Sequence, residues 1–190
     1  MGYDNIQTNI IKANVNIFAR ILSNLINKSV AQGVFHDPRK RSKILPVYKN
    51  KDKRSVSNYR PISILPVISK VYERVLNRRL YEYFSDNNIL SSSQFGFRSG
   101  ASTEHALLKF TDDIQQCFDN NKIAIASIMD LSKIFDFVNH DILLTKLRRY
   151  SVNFNALQRI KSYLSVREHF VSWNQSHSHT LNLNIGIPKG

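Results

Sequence analysis

Residues 122–140 read KIAIASIMDLSKIFDFVNH, and they decide how the rest of the chain is interpreted. Residues 123–129 form a short, almost unbroken run of apolar and small side chains, several of them β-branched. Such a run is typical of a strand that is buried on both faces, so we predict a buried strand here. The run ends on Asp130. Because burial of an unpaired carboxylate costs on the order of several kcal/mol, we expect Asp130 at the mouth of the strand or against a cation.

The composition indicates a folded and strongly basic protein. The chain has 190 residues, which is enough for one ordinary domain or two small lobes. It carries 27 Lys and Arg against 14 Asp and Glu, giving a formal charge of +13 and a pI near 10.0. This surplus favours a polyanionic partner, with nucleic acid first and an acidic membrane surface second. A solvated basic surface is the alternative.

The cysteine content and the N-terminus bear on location. Cys117 is the only cysteine, so neither an internal disulfide nor a cysteine-based zinc site is possible. The N-terminus has no apolar core of the signal-peptide kind, and no stretch approaches the ~20 apolar residues of a membrane span. We therefore expect an intracellular protein, in the nucleus or the cytoplasm, that does not act on a membrane.

Apolar residues that recur at three- and four-residue steps predict helices. The predicted helices are residues 6–30 (ending near Gly33), 67–87, 103–118, 141–150 and 154–164. Ser102 or Thr103 fits the N-cap of the third helix. The side chains of that helix that we expect to face inward are Ala106, Leu107, Phe110, Ile114 and Cys117.

Alternating apolar residues predict strands at residues 43–49, 168–173 and 180–185. Pro46 indicates that the first of these strands lies at an edge or contains a bulge. Residues 174–179 are predicted to form the loop of a hairpin between the other two.

A basic loop follows the first predicted strand. It contains Lys49, Lys51, Lys53 and Arg54, which are suited to phosphate oxygens but also fit a solvated turn. Arg60 differs from them because it lies between Tyr59 and Pro61, at the start of an apolar segment. A rigidly held guanidinium can bind a triphosphate bidentately.

Together these residues describe a basic α+β chain with one carboxylate at the predicted mouth of a strand. This combination suits magnesium chemistry on phosphates, because Mg²⁺ binds one or two carboxylates and completes its shell with phosphates and water. Two-metal phosphoryl transfer uses such a site to stabilise the attacking and leaving oxygens.

Several motifs, in order along the chain, resemble the reverse transcriptases of non-LTR (LINE-like, jockey-type) retrotransposons. The likeness covers roughly residues 33–190. It rests on NYRPIS at 58–63, SKVYE at 69–73, QFGFR at 94–98, DLSKIFD at 130–136 with Val138 and His140, SYL at 162–164 with Arg167, and GIPKG at 186–190.

The resemblance implies an α+β right-hand polymerase fold, of which this sequence holds the fingers and part of the palm. The thumb and the Tyr-x-Asp-Asp hairpin are absent from it. Residues 1–33 are expected to form an N-terminal amphipathic helix, and residues 34–190 the truncated reverse transcriptase region. The implied partners are an RNA template, a DNA primer and a dNTP, and the implied cofactor is Mg²⁺.

The resemblance also assigns roles at the metal and sugar positions. Asp130 matches the first metal-binding and catalytic Asp of the palm, and the carbonyl of Leu131 would be a further metal ligand. Phe135 matches the aromatic residue that screens the 2′ position of the incoming nucleotide. A ring against C2′ leaves no room for a hydroxyl.

Three positions match residues near the triphosphate. Arg60 matches the fingers arginine that contacts it, and Lys53 or Lys49 would share that contact. Lys189 occupies the polar position of the Pro-x-Gly turn beside the nucleotide.

This sequence departs from the family pattern at several points. Lys189 stands where the family usually has Gln, Ile134 where it usually has Ala, and Asn139 where Asp is frequent. The second catalytic carboxylate motif does not occur within these residues, so we expect the chain alone to be inactive. The rival interpretations are a non-catalytic nucleic-acid-binding remnant and a decayed element without a selected function.

Overall fold

The structure is a computed structural model that describes residues 2–35, 40–50, 52–131, 134–174 and 176–187. These residues form two compact units. One unit consists of Met1–Asn77 with Lys133–Gly190, and the other of Arg78–Ser132. The helices are α1 Thr8–Ala13, α2 Val15–Gln32, α3 Val67–Asp86, α4 Thr103–Asp119, α5 His140–Arg149 and α6 Phe154–Leu164.

The predicted helices are confirmed, and their ends have local causes. The N-terminal helix is interrupted at Asn14 and ends where Gly33 adopts a left-handed conformation (φ 67°), as a C-terminal glycine commonly does. Ser102 caps α4 by accepting a hydrogen bond from the main-chain N–H of His105. Asn139 and Asn153 cap α5 and α6 in the same manner. In the described ranges, no helix has both the length and the apolar character needed to cross a bilayer.

A mixed sheet lies in the first unit. Its strands are β1 Arg41–Tyr48, β2 Tyr59–Ile64, β3 Arg167–Trp173, β4 Ser176–His177 and β5 Leu181–Leu183. β1 pairs with β2 in antiparallel fashion and with β3 in parallel, while β3 also pairs with β4 and β5. The predicted pairing of β3 with β5 is confirmed, whereas residues 176–177 of the predicted loop form β4 and pair with β3. Pairing of β1 with β3 stops at Ile44, so among the described residues no strand pairs with that side of β1 at Pro46.

The register places two sets of side chains on opposite faces of this sheet, because successive residues of a strand alternate. One face, which we call the pocket face, carries every second residue of the three longest strands. Its residues are Ser42, Ile44, Pro46 and Tyr48 of β1, Tyr59, Pro61 and Ser63 of β2, and His169, Val171 and Trp173 of β3. The opposite face carries Arg60, which is paired with Val47.

The core of the first unit forms around Phe35. Its fully buried ring makes edge contacts with Tyr72 of α3 and Tyr163 of α6, with centroids 4.8 and 5.2 Å apart. The Phe35 N–H donates a 3.0 Å hydrogen bond to Ser162 Oγ, and Ser29 Oγ lies 2.7 Å from the Tyr72 hydroxyl. Helices α2, α3 and α6 are thus joined at one point.

A buried charged cluster lies beside this core. Arg167 is almost completely buried, and its guanidinium lies 4.4 Å from the centre of the Tyr163 ring. Its Nη2 is 3.9 Å from Glu73 Oε1, which also accepts a 2.7 Å hydrogen bond from the Tyr163 hydroxyl. Burial raises the pKa of Glu73 above its ordinary value, against the opposing effects of Tyr163 and Arg167. Burial likewise raises the pKa of the Tyr163 hydroxyl.

Two predictions about burial are wrong. Residues 123–129 form no strand and are exposed; the side chain of Ile125 is 94% accessible. A strand buried on both faces needs neighbouring strands, and among the described residues none pairs with this segment. On α4, Ala106, Ile114 and Cys117 are only partly buried, while Leu107 and Phe110 are exposed. No described residue of α4 is buried.

Candidate functional site

The candidate metal ligands lie in the second unit. Asp130 and Leu131 are both exposed and belong to the segment without regular secondary structure that follows α4. A carboxylate and a main-chain carbonyl are oxygen donors of the kind that Mg²⁺ prefers, so these two residues fit part of its shell. Within the described ranges, no three His, Cys, Asp or Glu side chains come together as a metal-binding group.

Phe135 is held in the first unit, in a short 3-10 turn at Ile134–Asp136. Three hydrogen bonds tie this turn and the start of α5 to Gly186 and Ile187. Ile187 N–H donates to the Phe135 carbonyl at 2.9 Å, and Gly186 N–H donates to the Val138 carbonyl at 2.8 Å. His140 Nε2 lies 2.7 Å from the Gly186 carbonyl, and this nitrogen must carry the hydrogen because a carbonyl only accepts. We call this arrangement the clasp.

Gly186 is required by the clasp for two reasons. Its φ of 79° lies in the left-handed region that other residues rarely adopt. A Cβ at this position would lie 2.7 Å from the Asp136 carbonyl oxygen and 2.9 Å from that of Phe135. The main chain at 186 therefore approaches the Phe135 turn as closely as only glycine allows.

Arg60 and Lys53 both lie in the first unit, but they are presented differently. Arg60 is exposed on β2, on the face opposite to the pocket face. Lys53 lies in the loop between β1 and β2, and its ammonium is 5.5 Å from the centre of the Tyr48 ring on the pocket face. The Tyr59 hydroxyl donates a 2.9 Å hydrogen bond to the Lys53 carbonyl and fixes the loop at this point.

The structure thus brings some of the predicted site residues into one unit and leaves others elsewhere. Arg60, Lys53, the alternative Lys49 and Phe135 belong to the first unit, whereas Asp130 and Leu131 belong to the second. Lys189 lies outside the described residues, two positions after Ile187 of the clasp.

The sequence did not predict the hydrogen bond between His140 and Gly186. Both stand in the motifs quoted above, yet their hydrogen bond spans 46 residues and no local pattern reports it. Other motif residues prove to be structural: Tyr72, Glu73, Ser162, Tyr163 and Arg167 all belong to the core and its charged cluster. The one signal available in the sequence was that these residues stand in or beside the quoted motifs.

Comparison with known proteins identifies the class to which these motifs belong. Residues 48–190 match the family described as reverse transcriptase (RNA-dependent DNA polymerase). This match covers most of the chain and includes every candidate site residue, and the chain belongs to this family. Membership implies the polymerase fold, in agreement with the mixed α+β architecture and its sheet.

The chain is also similar to three proteins of mobile elements from Drosophila melanogaster. The chain is 32% identical over 192 residues to a probable RNA-directed DNA polymerase from transposon BS, covering 100% of this chain and 21% of that protein. It is 32% identical over 140 residues to the corresponding protein of the X-element, covering 74% of this chain and 15% of that protein. It is 28% identical over 172 residues to the RNA-directed DNA polymerase of mobile element jockey, covering 90% of this chain and 19% of that protein. The predicted resemblance to enzymes of jockey-type elements is confirmed. The chain spans between 15% and 21% of the length of these relatives.

Proposed function

We propose that this chain supplies the fingers and part of the palm of an RNA-directed DNA polymerase. In that reaction a primer 3′-hydroxyl attacks the α-phosphate of a dNTP on an RNA template, and pyrophosphate leaves. The observation that carries the proposal is the family match, which runs continuously from residue 48 to residue 190 through all the candidate residues.

The metal position is proposed at Asp130 and Leu131. Reverse transcriptases generally use Mg²⁺, which as a Lewis acid stabilises the charge that develops on phosphoryl oxygens. The Asp130 carboxylate and the Leu131 carbonyl would hold it. Both groups are accessible to an ion and its phosphate ligands, since the segment is exposed.

The residues proposed to bind the nucleotide lie in the hairpin of β1 and β2 and in the clasp. Arg60 binds the triphosphate through its planar guanidinium, with Lys53 or Lys49 as a second cation. Phe135 screens the 2′ position of the sugar, and the clasp holds the turn that carries its ring. Lys189 contributes a further cation to the phosphates.

A nucleotide-binding experiment tests this proposal on the chain itself. Photocrosslinking with radiolabelled dTTP in the presence of Mg²⁺ should label the wild-type chain, and Arg60→Ala should lower the labelling about tenfold, the loss of one charged hydrogen bond of roughly 1.4 kcal/mol. Arg20→Ala is the matched control, because Arg20 is an exposed arginine of α2. Equal labelling of Arg60→Ala and wild type would contradict the assignment.

Primer extension tests the expected inactivity of residues 1–190. With Asp130 as the one candidate metal carboxylate, these residues should not extend a primer in Mg²⁺ or Mn²⁺, since two metal ions need more anionic ligands. Extension that Asp130→Ala abolishes would disprove this expectation.

A second candidate function is nucleic-acid binding without catalysis. The charge of +13 favours it. It predicts RNA or DNA binding that weakens steeply with salt and that Asp130→Ala leaves unchanged. Salt-independent binding, or none near physiological salt, would rule it out.

A further inference from the structure

Two hydrogen bonds of the clasp act on a single peptide unit, the one that joins residues 186 and 187. His140 Nε2 donates to its carbonyl, that of Gly186, at 2.7 Å. Its N–H, that of Ile187, donates to the Phe135 carbonyl at 2.9 Å. A trans peptide unit is planar, and its carbonyl and N–H point in opposite directions. The His140 side chain therefore also fixes the direction in which the Ile187 N–H points, which is towards Phe135.

This peptide unit needs such a restraint because residue 186 is glycine. The close approach to the Phe135 turn excludes a Cβ, which would lie 2.7 Å from the Asp136 carbonyl oxygen. A residue without a Cβ adopts left- and right-handed conformations about equally well, so the peptide unit after Gly186 can rotate at little cost. Rotation would turn the carbonyl away from His140 and lose that hydrogen bond. Glycine thus allows the close approach, and histidine restricts the freedom that glycine brings.

The His140 side chain extends from the fixed end of a helix. His140 is the first residue of α5, and the Asn139 side chain caps this helix by accepting 3.0 Å hydrogen bonds from the N–H groups of Asp141 and Ile142. Further along α5, Leu147 is buried, and the helix packs against α6. The donor to Gly186 therefore has a rigid support, which makes its hydrogen bond an effective restraint.

The turn that carries Phe135 depends on the clasp more than on its own hydrogen bond. The Phe137 N–H lies 3.4 Å from the Ile134 carbonyl, which is longer than a usual N–H···O bond. The main-chain bonds of the clasp, from Gly186 and Ile187, are 2.8 and 2.9 Å long. The main-chain position of Phe135, and with it the position of the ring, therefore follows from the peptide unit that His140 holds.

We infer that His140 is a positioning residue that determines sugar specificity. Through the peptide unit of residues 186 and 187, it holds the Phe135 ring where a nucleotide with a 2′-hydroxyl is excluded. Exclusion of one hydroxyl requires the ring to stay within ~0.5 Å of its place, which an unrestrained turn does not provide. The inference rests on the proposed function in taking Phe135 as the residue that screens the sugar. His140 itself contacts neither the sugar nor the phosphates in this role.

Two substitutions separate the hydrogen-bond donor from the ring of His140. His140→Phe keeps an aromatic ring and removes the donor. His140→Gln keeps a donor, because its amide nitrogen is the same number of bonds from Cα as Nε2. The Gln variant should therefore behave as wild type, and the Phe variant should not. His105→Phe is the matched control, since His105 is an exposed histidine of α4 in the second unit.

Hydrogen exchange of the Ile187 amide, followed by NMR on the whole chain, reports on the clasp without a nucleotide. In His140→Phe this amide should exchange about two- to tenfold faster than in wild type, the range expected for one net hydrogen bond. His140→Gln and His105→Phe should show the wild-type rate. An unchanged rate in His140→Phe would overturn the inference and leave the proposed function standing.

Photocrosslinking with radiolabelled dUTP and UTP in Mg²⁺ measures sugar specificity, because these nucleotides differ only in the 2′-hydroxyl. Wild type, His140→Gln and His105→Phe should label more strongly with dUTP. In His140→Phe the ratio of dUTP to UTP labelling should fall about two- to tenfold, through greater labelling with UTP. Loss of folding would instead lower the labelling with both nucleotides, so the two causes are distinguished.

Two results of the crosslinking experiment would overturn the inference. If His140→Phe exchanges the Ile187 amide faster but keeps the wild-type labelling ratio, His140 stabilises the fold without affecting the sugar, and the proposed function stands. If wild type labels equally with dUTP and UTP, the role of Phe135 in the proposed function is contradicted, and the role of His140 with it.

Discussion

At the scale of single residues, two glycines with similar backbone angles differ in what surrounds them. Gly186 has a φ of 79°, and a Cβ added there would have carbonyl oxygens less than 3.0 Å away. Gly100 has a φ of 76°, and an added Cβ would meet nothing within 4 Å. The first position therefore constrains both conformation and space, and the second only conformation. This pair allows the two effects to be separated by experiment.

Gly186→Ala should destabilise the fold more than Gly100→Ala does. Both variants bear the conformational cost of a left-handed residue, about 1 kcal/mol, and Gly186→Ala must also displace the turn at Phe135. We expect an additional loss of roughly 1–3 kcal/mol in the free energy of unfolding measured with urea. Equal losses in the two variants would show that the clasp is not as tight as the structure describes.

At the scale of elements, the charged cluster joins α3, α6 and β3 through side chains that no amphipathic pattern identifies. Glu73 lies on α3, Tyr163 on α6 and Arg167 at the start of β3. Arg167 Nη1 donates a 3.0 Å hydrogen bond to the Tyr163 carbonyl near the end of α6, so the guanidinium also helps to terminate that helix. The cluster fixes the turn from helix to strand.

The raised pKa of Glu73 predicts a pH-dependent stability. The folded chain binds this proton more tightly than the unfolded chain, so stability falls as the pH rises from about 4.5, the ordinary value, through the raised pKa. Glu73→Gln removes the titration, and its free energy of unfolding should therefore improve relative to wild type as pH rises towards neutrality. Urea denaturation across this range measures the difference.

Glu82→Gln is the control for this prediction, because Glu82 lies on the same helix with its side chain 53% exposed. If the difference in unfolding free energy between wild type and Glu73→Gln is the same at all pH values, the burial of the Glu73 carboxylate is contradicted.

Helices whose ends depend on neighbouring residues were predicted well from the sequence. Strand pairings that depend on residues far apart in the chain were not predicted. Helix α6 begins at the residue after Asn153 because that side chain caps it, and both features can be read from the sequence. The parallel pairing of Ser42 with His169 depends on chain segments far apart, and no local signal reports it. The segment at residues 123–129 has the composition of a central strand but no neighbouring strand among the described residues. The roles of Asp130, Leu131, Arg60, Lys53, Phe135 and Lys189 rest on resemblance and stay predictions.

At the scale of the whole molecule, the chain combines a well-packed first unit with an exposed apolar segment in the second. Ile123, Ile125 and Ile128 are each at least 90% exposed. Short β-prone segments of this kind, when exposed and low in charge, are sites of intermolecular strand pairing. The isolated chain should therefore associate through this segment as its concentration rises.

Ile125→Lys should suppress that association without unfolding the protein. A charge at the centre of the segment opposes stacking of identical strands, and the side chain replaced is 94% exposed, so the core loses nothing. Light scattering against concentration should show less association, while the circular dichroism melting curve stays the same. Ile160→Lys, at a buried position of α6, is the contrasting variant and should unfold the chain. Unchanged scattering in Ile125→Lys would show that another surface drives association.

The parallel pairing of β1 and β3 also determines when the sheet can form during synthesis. Ser42 donates to the carbonyl of Glu168 at a sequence separation of 126 residues, and Phe35 bonds to Ser162 at a separation of 127. At about 5–20 residues per second, a ribosome needs roughly 6–25 s to deliver β3 after β1 has emerged. Throughout that interval the β1–β2 hairpin has one side of β1 unpaired. Until β3 has been synthesised, the unpaired edge of β1 in the nascent chain is open to pairing with other chains unless it is shielded.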